Sequence, residues 1–333
     1  MVTVDRDCVI AGGGPAGMML GYLLARQGLD VLVLEKHADF LRDFRGDTIH
    51  PSTISVLGEI GLREEFLTLP LTRIATLDVV VDSHRMTLVD FSTLPPPDDF
   101  LALVPQWDFL TLLADHGKRL PGFELRMSTE VTGLLHDENG VAGIRAIGPS
   151  GEIQVRARLT VAADGRSSRT RDLAGLVADE LGVPIDVLWF DLPKPDPAPP
   201  TTLGYLDGTG FVLTIDRGDR YQGGYVIAKG ALDDTRAEGF DEFRSAIARC
   251  APPLAAVLPA LTSWDQVKLL SVQLNRLPRW YQPGFICIGD AAHAMSPVGG
   301  VGINYAIQDA VALANAVVDP LRAGRVPTEV LAA

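Results

Sequence analysis

The chain has 333 residues, of which 47% are hydrophobic and 21% charged, so it can bury a sizeable core and is not intrinsically disordered. The net charge of −13 makes it a poor binder of nucleic acid, because its surface would repel phosphate. Three cysteines are too few for a disulfide framework, and no apolar run approaches the roughly 18 residues of a membrane span. No signal-peptide pattern precedes the first strand. Together these observations predict a cytoplasmic protein.

The N-terminus has the pattern of a βαβ unit. Apolar runs predict strands over 7–11 and 30–34, and the segment between them, 15–27, has helical spacing. Gly28 suits the position that follows a helix C-terminus. Two parallel strands joined by a helix are the element from which nucleotide-binding sheets are built.

Short strands and two helices follow up to about residue 178. Helical spacing predicts helices over 53–59 and 107–119, and the Pro-rich segment 92–99 predicts a loop. Strand patterns occupy 74–81, 86–91, 123–126, 131–136, 141–147, 152–156 and 159–163.

Beyond residue 178 the predicted strands are longer. They occupy 185–192, 202–206, 211–216 and 221–228. A helix is predicted over 240–249, and a buried strand over 285–288 with a long helix over 301–318 returns to the pattern of the N-terminal unit.

These patterns predict an α/β fold of two interleaved parts. The first is a Rossmann-like nucleotide-binding domain built from both ends of the chain, 1–178 with inserted strands and 276–333. The second is a β-rich domain over 179–275, the candidate substrate domain.

The first chemical motif is Gly12-x-Gly14-x-x-Gly17, placed between the first strand and the first helix. Its glycines permit a tight turn, close approach of a pyrophosphate to the backbone, and close packing of helix on strand. Glu35 follows Gly17 by 18 residues and can accept hydrogen bonds from an adenosine ribose, which favours FAD or NAD over NADP at this site. The alternative is a Gly-rich turn that only packs the helix on the sheet.

Two later motifs lie at predicted strand ends. Asp164-Gly165 follows the strand over 159–163, and Gly289-Asp290 follows the strand over 285–288, at the sheet edge where doubly wound folds bind ligands. A carboxylate at this edge can hold polyol hydroxyls. The Gly-rich segment 296–304 precedes the last long helix, and such a helix N-terminus suits a flat ring that develops negative charge.

This set of motifs, in this order, resembles the single-component FAD-dependent aromatic hydroxylases, the group of para-hydroxybenzoate hydroxylase and the ubiquinone-biosynthesis hydroxylases. The resemblance implies FAD as cofactor. The residues that it assigns to FAD are Gly12, Gly14, Pro15, Ala16, Gly17, Glu35, Lys36, Arg45, Gln106, Asp164, Gly289, Asp290, Pro297, Gly300, Gly302, Ile303 and Asn304.

Within this set the resemblance implies distinct roles. Arg45 would act at the flavin and its mobile positions, and the backbone at Pro297 would lie near the reacting ring. Asp290 would bind the ribityl chain, and Gln106 the ribityl or pyrophosphate region. Members of the family usually carry further helices after the flavin helix, whereas this chain stops at Ala333, so a shortened or incomplete member is expected.

Several polar residues have two interpretations. Tyr205, Gln222 and Tyr225 lie on the middle strands and either contact the substrate or pack within the sheet. His293 either packs near the pyrophosphate or shuttles a proton, and His50 either faces the flavin or caps the following helix. No Cys/His cluster has the spacing of a metal site.

The resemblance implies a monooxygenase mechanism. NADH or NADPH reduces FAD, the reduced flavin captures O₂ as a C4a-hydroperoxide, and one oxygen passes to a small aromatic or polyketide-like substrate. The sequence has no second G-x-G-x-x-G, so the nicotinamide nucleotide is expected at a shallow site. Two alternatives remain: an FAD-dependent reductase or dehydrogenase of the same fold, and a non-catalytic flavin-binding relative.

Overall fold

The structure is a computed structural model that describes residues 2–41, 48–199 and 204–332. The strands are β1 (Val2–Ala11), β2 (Val31–Leu34), β3 (Thr48–Ile49), β4 (Thr72–Ile74), β5 (Thr76–Val81), β6 (His84–Asp90), β7 (Leu101–Leu103), β8 (Phe123–Arg126), β9 (Glu130–Asp137), β10 (Gly140–Gly148), β11 (Gly151–Ala162), β12 (Asp179–Glu180), β13 (Ile185–Pro193), β14 (Gly204–Asp207), β15 (Gly210–Asp216), β16 (Arg220–Ala228), β17 (Lys268–Leu270), β18 (Asn275–Arg276), β19 (Tyr281–Gln282) and β20 (Phe285–Cys287). The α-helices are α1 (Pro15–Arg26), α2 (Pro51–Glu59), α3 (Arg63–Phe66), α4 (Gln106–Gly117), α5 (Arg169–Leu173), α6 (Leu232–Glu238), α7 (Phe240–Cys250), α8 (Gly302–Arg322) and α9 (Thr328–Ala332).

A mostly parallel sheet forms the centre of the first part. Its strands run in the order β19, β20, β11, β1, β2, β8, and the antiparallel β9 and β10 extend it from β11. At the centre, Ile10 pairs with Val33 on one side and Val161 on the other, and all three side chains are fully buried. Helices α1, α4 and α8 cover one face with a continuous apolar cluster. This arrangement confirms the predicted α/β fold with a Rossmann-like βαβ unit at the N-terminus.

One prediction about the strands of this sheet is wrong. The segments 152–156 and 159–163 were expected to be two strands, but β11 is continuous from Gly151 to Ala162. The physical reason is that β1 pairs with it in parallel along nearly its whole length. The polar Arg158 that interrupts the apolar pattern is paired with the Asp7 carboxylate.

The second sheet has seven strands in the order β17, β13, β16, β15, β14, β5, β6. Strand β5 joins it by parallel pairing with β14, with Gly204 opposite Val79, so the hairpin over 76–90 belongs to this sheet. These are the strands inserted in the first part of the chain. The division at residues 178 and 275 itself stays a prediction.

Both faces of the second sheet are apolar. Alternate residues of β13 divide between them: Leu188 and Phe190 pack with Phe243 of α7, whereas Val187 and Trp189 belong to a separate cluster on the opposite face. Helix α6 escaped the sequence analysis because none of its residues is buried and it has no apolar stripe. None of the described helices is long and apolar enough to cross a membrane.

Candidate functional site

A cavity of about 550 Å³ extends from the first sheet to the second. On one side it is lined by the turn after β1, by Glu35 and by Asp290. On the other side it is lined by residues of the second sheet, which include Trp189 and Gln222. One space therefore connects the nucleotide-binding motifs with the candidate substrate domain.

Glycine is needed at different positions of the turn after β1 for different structural reasons. Gly12 has φ +109°, and a Cβ there would stand 2.3 Å from the carbonyl oxygen of Ala163. A Cβ at Gly17 would stand 2.0 Å from the carbonyl oxygen of Gly12, so both positions need glycine for packing. A Cβ at Gly14 would meet no atom within 4 Å, and Gly14 lines the cavity. Of these three glycines, Gly14 is the one whose missing side chain leaves open space that a ligand can occupy.

The N-terminus of α1 faces this turn without a side-chain cap or an acidic residue in its first turn. Its first N–H groups therefore remain available to an anion, and the helix dipole favours negative charge there. This local arrangement fits a pyrophosphate.

Glu35 closes the turn from the end of β2. Its Oε2 accepts a hydrogen bond from the Gly13 N–H at 2.9 Å, and its Oε1 accepts one from the His37 N–H at 3.0 Å. The residue is buried yet lines the cavity. The carboxylate therefore holds the Gly-rich turn in place and presents negative charge where a ribose would bind.

Asp164 has a structural role that the motif did not indicate. Its Oδ1 accepts a hydrogen bond from Ser168, and its Oδ2 accepts from the N–H and the hydroxyl of Thr170, at 3.0 and 2.8 Å. The carboxylate fixes the segment that leads into α5 while lining the cavity. A direct contact from Asp164 to a nucleotide would have to compete with these bonds.

Arg166 is a cavity residue that the sequence analysis missed. Its Nη2 lies 3.8 Å from Asp290 Oδ2, and its buried Nε has no hydrogen-bond partner among the described residues. A buried donor without a partner is costly, and a phosphate or other anion in the cavity would satisfy it. The only signal in the sequence is an arginine two positions after Asp164, which is common in turns.

Asp309 supports the Gly289-Asp290 motif from α8. Its Oδ2 accepts the Gly289 N–H at 2.8 Å and lies 2.7 Å from His293 Nε2. Burial opposes protonation of His293, but the hydrogen bond and charge of Asp309, with the charge of Asp290, raise the pKa of His293 above its ordinary value. His293 is absent from the cavity lining and stacks on Trp280, which supports the packing interpretation.

Asn304, which the resemblance assigns to FAD, has a structural role beside the Gly-rich segment. Asn304 is buried and is absent from the cavity lining. Its Oδ1 accepts from the His50 N–H and the Thr53 hydroxyl, both at 2.8 Å, and its Nδ2 donates to the carbonyls of Thr48 and Gly300 at 3.0 and 3.1 Å. All four hydrogen-bonding positions of the amide are used, so Asn304 joins α2, β3 and the Gly-rich segment.

His50 neither faces the cavity nor caps α2 with its side chain. Its Nε2 donates a hydrogen bond to the carbonyl oxygen of Gly299 at 2.9 Å, because a carbonyl can only accept. Burial lowers the pKa of His50, so the neutral ring is favoured. His50 therefore holds the segment that precedes α8.

The remaining predicted cofactor residues divide by position. Gly17 and Gly289 are packing positions that do not line the cavity, and Arg45 lies outside the described residues. The predicted residues that do line it are Gly12, Gly14, Pro15, Ala16, Glu35, Lys36, Gln106, Asp164, Asp290, Pro297, Gly300, Gly302 and Ile303.

Of the three candidate substrate residues, only Gln222 lines the cavity. Tyr205 and Tyr225 pack on the other face of the second sheet, in the cluster with Phe243 of α7. The reason is the two-residue period of β16, which directs Gln222 to one face and Tyr225 to the other. Tyr205 and Tyr225 are therefore sheet-packing residues, and the structure adds Trp189, Leu213 and other apolar side chains to the cavity wall.

The described residues contain no group of three or more potential metal ligands.

Residues 5–331 match the sequence pattern of the family described as "FAD binding domain". The chain therefore belongs to the FAD-binding family of flavin-dependent monooxygenases that its motifs indicated.

Relatives and solved structures agree with this assignment. The chain is 32% identical to 6-methylpretetramide 4-monooxygenase of Streptomyces rimosus over 92% of this chain and 73% of that protein. It is 30% identical to rifampicin monooxygenase of Streptomyces venezuelae over 91% of this chain and 62% of that protein. Its fold matches PqsL of Pseudomonas aeruginosa, "a probable FAD-dependent monooxygenase", with a TM-score of 0.83, 25% identity, and coverage of 98% of this chain and 90% of that chain. The chain thus spans about two thirds of the two curated relatives.

Proposed function

We propose that this chain binds FAD and an aromatic substrate in one cavity and takes part in NADH- or NADPH-dependent hydroxylation of a small aromatic or polyketide-like compound. The observation that carries the proposal is the continuity of the cavity of about 550 Å³ between the Gly-rich turn and the wall of the second sheet. Such a cavity lets a cofactor ring and a flat substrate share a space enclosed by protein. The activities in the names of the relatives support the same class.

FAD would extend along the cavity from the turn after β1. The N-terminus of α1 and Arg166 would hold the pyrophosphate, and Glu35 would accept from the adenosine ribose. Asp290 would accept from the ribityl chain, and the backbone of 297–303 would surround the ring. These assignments agree with a division in which 1–178 and 276–333 form the FAD-binding part and 179–275 the substrate part.

When bound, FAD would supply the redox chemistry, namely hydride acceptance from NADH or NADPH and activation of O₂. Substrate, O₂, NAD(P)H and one proton would give hydroxylated product, water and NAD(P)⁺. The residues of the chain would bind and orient both partners and exclude water. His50 and Asn304 would maintain the backbone around the ring through Gly299 and Gly300.

The decisive test is incorporation of label from ¹⁸O₂. The FAD-loaded protein is incubated with NADH or NADPH and a panel of phenols, quinone precursors and polyketides, and products are analysed by mass spectrometry. We expect one labelled oxygen in the product and faster NAD(P)H oxidation with the correct substrate. Product without label, or equal product without oxygen, would favour the reductase or dehydrogenase alternative. FAD binding with no NAD(P)H oxidation would favour a non-catalytic relative.

A further inference from the structure

The cavity wall formed by the second sheet is apolar except for a few polar groups. Leu213, Ile215, Leu270 and Val272 line it, and this surface suits the face of a planar ring system. Trp189 of β13 and Gln222 of β16 lie on the same wall, and each has only 6% of its surface exposed. Little of either side chain is exposed to water, so both are largely enclosed by protein where they line the cavity.

Trp189 carries a donor that the protein leaves without a partner. Its indole Nε1–H is buried and has no acceptor among the described residues. Gly224, opposite Trp189 in the β13–β16 pairing, makes room for the ring, because a Cβ there would stand 2.9 Å from the indole. An unpaired buried donor costs about 1–3 kcal/mol, which an acceptor on a bound molecule would recover.

Gln222 offers a second donor, and its orientation is fixed by Arg217. The Arg217 Nε donates to Gln222 Oε1 at 3.1 Å, and Arg217 Nη2 donates to the same oxygen. Arginine has donors only, so the atom that it contacts must be the amide oxygen. The NH₂ group is the donor of Gln222 that Arg217 does not contact, and Gln222 lines the cavity.

The two donors are neighbours on one face. In the β13–β16 pairing, Trp189 lies opposite Gly224 and Gln222 lies opposite Asp191, so Trp189 and Gln222 are diagonal neighbours. Diagonal positions of this kind are about 7–8 Å apart, within the span of a fused ring system.

We propose that Trp189 Nε1 and the Gln222 amide nitrogen are positioning donors that bind carbonyl or phenolate oxygens of a planar polycyclic substrate. This inference rests on the proposed function, because it assumes that the substrate occupies this part of the cavity. It assigns the recognition of acceptor oxygens to the wall of the second sheet.

The test compares two probes that differ in acceptor oxygens: 9,10-anthraquinone-2-sulfonate, with two carbonyls, and anthracene-2-sulfonate, with none. Each is titrated by calorimetry into the FAD-loaded protein without NAD(P)H. We expect the wild type to bind the quinone at least about tenfold more tightly. Trp189→Phe keeps a ring and removes the donor, so it should weaken quinone binding about 5- to 10-fold and change anthracene-2-sulfonate binding less than about twofold.

Gln222→Glu provides a second, independent variant. A carboxylate can still accept from Arg217 but cannot donate to a carbonyl, so the same selective loss of quinone affinity is expected. Trp264→Phe is the matched control, because Trp264 packs against Phe240 and Phe243 and does not line the cavity. Its affinities for both probes should equal those of the wild type.

Two results would overturn the assignment: a wild type with no preference for the quinone, or variants that weaken both probes equally. The ratio of FAD to protein is measured first in every preparation. A wild type that binds no FAD would refute the proposed function, and the same two titrations into the FAD-free protein would still decide the roles of Trp189 and Gln222.

Discussion

The side-chain oxygen of Asn304, near the start of α8, accepts the backbone N–H of His50 at 2.8 Å, across 254 residues of sequence. The amide nitrogen of Asn304 donates to the carbonyl of Gly300, and the His50 ring donates to the carbonyl of Gly299. These three bonds fix the Gly-rich segment against the N-terminus of α2. The Gly-rich segment, which is proposed to surround the flavin ring, is thus held in place by Asn304 and His50, whose side chains do not line the cavity.

We expect Asn304→Ala to destabilise the protein more than a cavity residue would. The substitution leaves several buried backbone groups without partners, and each such group costs about 1–3 kcal/mol. Urea unfolding should show a loss of at least about 2 kcal/mol. Gln308→Ala on the exposed face of the same helix is the control and should change stability by less than about 0.5 kcal/mol. Equal stability of the two variants would mean that this network contributes little.

The glycines of the turn after β1 should separate cofactor binding from folding. Gly14→Val extends into open cavity at an ordinary backbone angle of φ −77°, so the protein should keep its melting temperature. Its affinity for FAD should fall at least about tenfold, because the side chain occupies the space where a pyrophosphate approaches. Fluorescence titration with FAD measures this change.

Gly12→Val is the contrasting variant at the same turn. The φ of +109° and the close carbonyl of Ala163 should destabilise the fold by about 3 kcal/mol or more. A folded Gly14→Val protein with wild-type FAD affinity would contradict the proposed site.

Asp290→Ala should weaken FAD binding without unfolding the protein. The side chain is only partly buried, and Arg166 lies 3.8 Å from it. Loss of a hydrogen-bonding carboxylate should reduce FAD affinity about 10- to 100-fold. Asp319→Ala, which removes an exposed carboxylate of α8, controls for the change in net charge. If the Asp290→Ala protein retains FAD on dilution as well as the Asp319→Ala protein does, another residue makes the ribityl contact.

The His293–Asp309 pair should make stability depend on pH. Asp309 raises the pKa of His293 in the folded protein above its ordinary value of 6.5. The extra stability is therefore fully present below pH 6.5 and is lost as the pH rises through the folded pKa. Urea midpoints between pH 5.5 and about 9 should show this decline in the wild type.

Asp309→Asn should flatten that pH dependence, because the neutral amide no longer favours the charged imidazole. The variant keeps an oxygen that can accept the Gly289 N–H, so the local backbone should persist. Parallel pH profiles for wild type and variant would show that another group is responsible.

The N-terminal unit could be predicted from sequence because its signals are local. The glycines at 12, 14 and 17 and the apolar runs on either side of α1 are contiguous, and the geometry of the turn depends on neighbours within the same unit. The family could be recognised for the same reason, since its motifs are short segments at strand ends. The boundaries of α1 and α7 followed from periodicity to within one residue, whereas the periodicity did not show that β11 is continuous.

What only the tertiary structure decided is which face of each middle strand meets the cavity. Both faces of the second sheet are apolar, so alternation along β16 separates Gln222 from Tyr225 but does not say which side α7 covers. Likewise, Asn304 is a polar residue in a Gly-rich segment. Its structural role consists of hydrogen bonds with Thr48, His50 and Thr53, which are distant in sequence. Pairwise contacts over such separations are set by the packing of whole elements, and the sequence of one segment does not contain them.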